Sequence, residues 1–158
     1  MPVLLAIVAC EKIIIDEQRN PSLIVLMERV EAQVPQGQEM PQNVLAPQEW
    51  GIFTLWMKKD EEAPLHCKQV IEMFPPGASS EARKQRIETE FDFVDRLHKV
   101  SNKIVGIPVG TAGTCWIHVR LESEAGTTET VSYPIEIAHK FVPLEAFPQV
   151  VKSETAKQ

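Results

Sequence analysis

Between Gly113 and Glu122 the chain reads Gly-Thr-Cys-Trp-Ile-His-Val-Arg-Leu-Glu, with an apolar residue at every second position from Cys115 to Leu121. A period of two puts Cys115, Ile117, Val119 and Leu121 on one face of a strand and Trp116, His118 and Arg120 on the other. After the turn-rich stretch Ser123–Thr128, the alternation resumes with Val131, Tyr133, Ile135 and Ile137. Two such runs predict a β-hairpin with one core face, because a helical period would scatter the same residues around a cylinder.

Most of the chain repeats this pattern. Val3–Ala9 and Ile13–Ile15 are β-branched runs that suit a strand buried on both faces. The Asn-Pro-Ser cluster after Asp16 marks a turn. Leu23–Val34 reads as one long strand that begins inside a sheet, with Glu28 in phase with its buried set. Trp50–Met57, Cys67–Met73, Arg86–Val94 and Val100–Val109 supply further strands. Lys58–Pro64 reads as a solvated hairpin tip. Glu81–Glu90 is also compatible with a helical turn. About eight strands separated by turn signals predict an all-β, antiparallel, two-sheet β-sandwich over residues 1–140. The proline-rich stretch Pro35–Gln48 is long for a loop, and two readings stand. It is a crossover whose Val44 and Leu45 plug one end of the core, or a binding loop presenting Met40, Val44 and Leu45.

Residues 141–158 predict an extended C-terminal arm. Two prolines exclude a stable helix there, yet Phe141, Leu144 and Phe147 make it too apolar for a plain solvated tail. It packs on its own domain or adds to another protein.

Composition sets the outer bounds. A chain of 158 residues fits one domain, which buries about 70% of its unfolded surface. Twelve prolines against seven glycines suit short strands and turns. Sixteen basic against 22 acidic residues give a net charge of −6, which argues against a nucleic-acid partner and against adsorption to an anionic membrane. Ile7-Val8-Ala9-Cys10 is similar to the small-residue site before a lipidated bacterial cysteine. No Lys or Arg precedes it, and the apolar run is too short for a targeting segment. Cys10, Cys67 and Cys115 form no CxxC pair and fall in predicted strands, so free, buried thiols and a cytoplasmic setting are expected.

No cluster declares chemistry. There is no Gly-x-Ser-x-Gly elbow, no phosphate-cradling glycine loop, and the Gly110–Gly113 pair reads as a turn. His66, His98, His118 and His139 lack zinc spacing, so no metal and no other cofactor is expected. The acidic runs at Asp16-Glu17, Asp60-Glu61-Glu62 and Asp92/Asp95 read as solvated faces rather than calcium loops.

Three stretches resemble a family of small bacterial β-sandwich proteins of unknown function with an immunoglobulin- or C2-like build. They are Val8–Asp16 followed by Pro21–Ile24, Ala46–Trp56, and Gly113–Trp116 with Tyr133–Ile137. The resemblance implies the sandwich fold and transfers no catalytic residue.

The expected function is therefore a non-enzymatic interaction module that binds a protein partner or itself. Its surface is drawn from Trp116, His118, Trp50, Met40, Val44, Leu45, Phe141, Leu144 and Phe147. The alternative is a carbohydrate- or small-ligand-binding sandwich using Trp116 and Trp50, and an enzyme of unrecognised type is third. Trp116 decides much of this, since it is either covered by a loop or the arm, or exposed for a ligand.

Overall fold

A computed structural model describes residues 1–58, 64–77 and 85–146. It contains ten strands: β1 (Val3–Ile15), β2 (Pro21–Leu26), β3 (Arg29–Pro35), β4 (Leu45–Met57), β5 (Leu65–Phe74), β6 (Gln85–Phe93), β7 (Leu97–Pro108), β8 (Gly113–Ser123), β9 (Gly126–Thr127) and β10 (Val131–Val142). A 3-10 turn follows at Leu144–Ala146, and no α-helix occurs among the described residues. The strands form two sheets, ordered β2-β1-β4-β7 and β3-β10-β8-β5-β6, with β9 added against β8. All-β class and two sheets are as expected, but the six-stranded sheet is a curled half-barrel rather than a flat layer.

Alternation sorts the side chains. Cys115, Ile117, Val119 and Leu121 of β8 are all buried, as are Trp50, Ile52 and Trp56 of β4. Gln69 shares the inward phase of β5 with Cys67, Ile71 and Met73 and is fully buried with them. Its polarity is matched from the opposite sheet. Gln69 Oε1 accepts from Thr54 Oγ1 at 2.6 Å and from Trp56 Nε1 at 2.7 Å, while its Nε2 donates to Asn102 Oδ1 at 3.0 Å. Asn102 Nδ2 then donates back across to Thr89 Oγ1 at 2.6 Å. A buried amide costs stability only when it lacks such partners.

Leu23–Val34 is not one strand. β2 belongs to the four-stranded sheet and β3 to the six-stranded one, and the chain changes sheets at Met27-Glu28. The change resolves the phase conflict at Glu28: Met27 is buried and Glu28 reaches solvent. It also makes β2 an edge strand rather than an internal one. A second departure follows, because β3 lands beside β10 and pairs with it in parallel, from Arg29↔Glu136 to Pro35↔Val142. The sheets are thus not wholly antiparallel. This division and the short β9 raise the strand number from about eight to ten.

Pro35–Gln48 is the crossover. Val109 N donates to Val44 O at 3.0 Å, and Met40 and Val44 pack half-buried against the core. At the far end of the chain, Phe141 and Val142 belong to β10, opposite Val34 and Pro35. The boundary expected at residue 140 therefore falls inside a strand. Phe147 and the rest of the arm lie outside the described residues, as do most of the Lys58–Pro64 tip and residues 81–84 of the stretch compatible with a helical turn.

The β1–β2 hairpin does more than extend its sheet. β1 pairs with β4 from Val3↔Met57 to Cys10↔Gly51 and then leaves it. Ile13 crosses over Gly51, its Cδ1 lying 2.6 Å from where a Cβ on that glycine would stand. At the hairpin tip, Lys99 Nζ of β7 donates to Asn20 Oδ1 at 3.3 Å. The distal hairpin thus straps the outer face of the four-stranded sheet.

Candidate functional site: the Trp116 face

β8 runs through the middle of the six-stranded sheet, so its outward residues are flanked on both sides. Trp116 stands opposite Phe74 of β5 and Pro134 of β10, and the three side chains form one row across three strands. The next row sets His118 between Glu72 and Ser132. His118 leans on Phe74, with ring centroids 4.8 Å apart and planes tilted by 44°. Trp116 is 44% exposed, so the described residues do not cover it.

Further along the same face the charges neutralise one another. Arg120 Nη1 lies 2.7 Å from Glu72 Oε2 and its Nη2 lies 3.1 Å from Glu122 Oε1. Lys68 Nζ reaches Glu122 at 3.2 Å, and Arg86 Nη2 reaches Glu88 at 2.6 Å. The hydrogen bond from Lys68 holds the Glu122 carboxyl below its ordinary range, and Arg86 does the same for Glu88. A lattice of this kind is already satisfied and offers little net charge to a ligand.

The Trp116 end differs. Beside Pro134 lies a groove of about 370 Å³ lined by Glu28, Thr114, Tyr133, Pro134 and Glu136. Tyr133 closes its inner side, donating from Oη to Met27 O at 3.2 Å. Burial raises the Tyr133 phenol further above its ordinary range, so it stays a neutral donor. Glu28 and Glu136 have no ion-pair partner among the described residues. The groove is therefore acidic and abuts an exposed indole.

The remaining expected site residues are dispersed. Trp50 is not a ligand platform: it is 2% exposed, and its Nε1 donates to Gly106 O at 3.0 Å in the core. Its even phase with Ile52 and Trp56 puts it inward. Leu45 is exposed at the start of β4, against Gly106. Phe141 and Leu144 are exposed, but Phe141 lies seven residues beyond Pro134, about 23 Å along the strand. Of the expected set, only Trp116 and His118 share a site. Phe74 and Pro134 were missed because one reads as a strand end and the other as an ordinary outward position of its strand. Only the inter-strand register reveals them as neighbours of the indole.

Reactive groups elsewhere are held quiet. All three thiols are free and buried, and burial pushes Cys115 up to about 12. The His66–Asp92 contact, 2.9 Å, is solvent-exposed. His98 stacks on Phe91 at 4.1 Å with planes 4° apart. Among the described residues no three or more His, Cys, Asp or Glu converge as metal ligands. No protein-family model and no curated protein matches the sequence.

Proposed function

We propose that the chain is a non-enzymatic binding module whose Trp116 face docks a protein segment combining an apolar side chain with a Lys or Arg. The observation that carries this reading is the exposed Trp116, aligned with Phe74 and Pro134 on a rigid sheet face. An indole presented on strands contributes large contact area at low entropic cost, which is why Trp dominates binding hot spots. Charge complementarity selects the basic residue, because Glu28 and Glu136 line the adjoining groove. The same reading takes the two sheets as an immunoglobulin-like sandwich, supported by the Gln69 and Asn102 bonds that run between them. A cytoplasmic setting is part of it, supported by three unpaired, buried thiols. No helix among the described residues is long and apolar enough to cross a membrane.

The test is a peptide array with basic-apolar and acidic-apolar sequences, read alongside Trp fluorescence. Basic-apolar peptides are expected to bind, to be lost in Trp116→Ser, and to be replaced by acidic-apolar ones in Glu136→Lys. Binding unchanged by both substitutions overturns the assignment. A second reading, a glycan-binding face, is favoured by Thr114, His118 and Glu136 placed around the indole to hydrogen-bond hydroxyls. Quenching of Trp116 by members of a glycan panel, with no peptide retained, would favour it instead.

A further inference from the structure

We infer that two copies of this chain associate edge to edge through β2, on the sheet that does not carry Trp116. Four strands end the two sheet orders: β2, β3, β6 and β7. An open edge is a template for pairing, and proteins normally guard it with charge. β3 carries Arg29 and Glu31, β6 carries Arg86, Glu88, Glu90 and Asp92, and β7 carries Lys99 and Lys103. β2 reads Pro-Ser-Leu-Ile-Val-Leu and carries none. Its hydrogen-bonded neighbour is β1 alone. Ile24, Val25 and Leu26 are 40%, 56% and 57% exposed, and Ile14 and Ile15 of the same hairpin are exposed beside them.

The backbone gives a second, independent reason. Val25 has φ 54°, the left-handed region, although it is β-branched and solvent-exposed. That conformation is strained for valine, which is more than half exposed there. It coincides with a gap in the β1–β2 ladder, which pairs Cys10↔Leu26 and Lys12↔Ile24 but not the residues between. An added strand that supplies backbone partners would return Val25 to the extended region and relieve the strain.

Charge selects the occupant. An antiparallel pair about a two-fold axis beside Leu23 or Ile24 sets uncharged β2 against uncharged β2. The charged residues nearest the ends of β2, Arg19 before it and Glu28 after it, are exposed and fall outside the paired stretch. Self-pairing of β6 would set acid mainly against acid and of β7 lysine against lysine, whereas β3 carries one charge of each sign.

Sedimentation velocity over a concentration series tests the pairing on the full chain. Wild type is expected to show a concentration-dependent dimer. Val25→Lys and Ile24→Lys each place a cation on the edge, and each is expected to raise the dimer dissociation constant by on the order of tenfold or more. Val105→Lys, an exposed site on β7, is expected to leave dimerisation unchanged, as is truncation after residue 146. Val25→Gly accepts the left-handed backbone without strain and is expected to weaken the dimer while stabilising the monomer. Far-UV circular dichroism confirms folding of each variant. A wild type that stays monomeric at every concentration overturns the inference. So does a dimer that survives both lysine substitutions or disappears with the truncation.

Discussion

Gln69 and Asn102 face each other across the core from different sheets, the Gln69 amide donating to the Asn102 carbonyl oxygen at 3.0 Å. Around that bond the network is complete: the described residues contain no buried side-chain nitrogen or oxygen without a partner. Replacing Gln69 by Leu keeps its volume but strands the Trp56 N–H and part of the Asn102 amide. The expected loss is about 2–4 kcal/mol, since an orphaned buried donor costs its full desolvation. Urea unfolding measures it. A loss below about 0.5 kcal/mol, the range of a neutral surface substitution, would show that the network does not hold the sheets together.

Gly51 lies beneath Ile13 where the hairpin crosses β4. A methyl group at position 51 meets the Ile13 side chain head-on. Gly51→Ala is expected to destabilise by about 1–3 kcal/mol, the usual cost of overpacking. Ile13→Ala in the same chain should recover part of that loss, because the clash needs both groups. A double-mutant cycle reads the coupling. Strict additivity would mean that the strap does not press on Gly51.

The half-buried His98 has its pKa lowered, first by burial against Phe91 and Phe93, with Asp95 acting in the opposite sense. Its folded value lies below the unfolded one, so between the two the unfolded chain binds the extra proton. Stability is expected to fall as the pH drops below about 6.5 and to level off beneath the folded value. His98→Phe should flatten this slope. His66 carries the opposite sign, because hydrogen bonding to Asp92 raises its pKa. Its contribution is complete at low pH and fades as pH rises through the folded value. That pair is fully solvated, so the His98 slope should dominate. Urea midpoints at pH 5.5 and 7.5, for wild type and both His→Phe variants, distinguish the two.

Thiol reactivity reports on the core directly. Burial raises Cys10, Cys67 and Cys115, the last to about 12. At pH 8 the Cys115 thiolate is on the order of one part in ten thousand. A disulfide reagent is expected to leave the native protein unlabelled and to modify all three cysteines in guanidinium. Labelling of one thiol within seconds under native conditions would contradict its burial.

The inward face of β8 was legible from alternation, because one-sided burial imposes a period of two, and the burial of the cysteines from their place in predicted strands. The polar exception at Gln69 was visible as a break in phase, although its partners were not. What the linear pattern missed depends on pairs distant in sequence. Nothing local distinguishes a strand that changes sheets at Met27-Glu28 from one that bulges there. The β-branched richness of Leu23–Leu26 suits a buried strand and an exposed edge equally well. Alternation along β8 already placed Trp116 outward, whereas Trp50 opens a run that is apolar on both faces, where sequence alone does not show which side meets the core. Phe74 and Pro134 became part of the candidate site only through the inter-strand register.

The parallel pairing of β3 with β10 also dictates an order of events during synthesis. β3 leaves the ribosome roughly a hundred residues before the strand it pairs with, a separation that slows pairing. Until β10 emerges, the β3 backbone has no hydrogen-bonded neighbour in its own sheet among the described residues. The nascent chain carries that open seam over the roughly hundred residues between the two strands. Pairing of two strands so far apart in sequence is expected to be slow and exposed to misassembly.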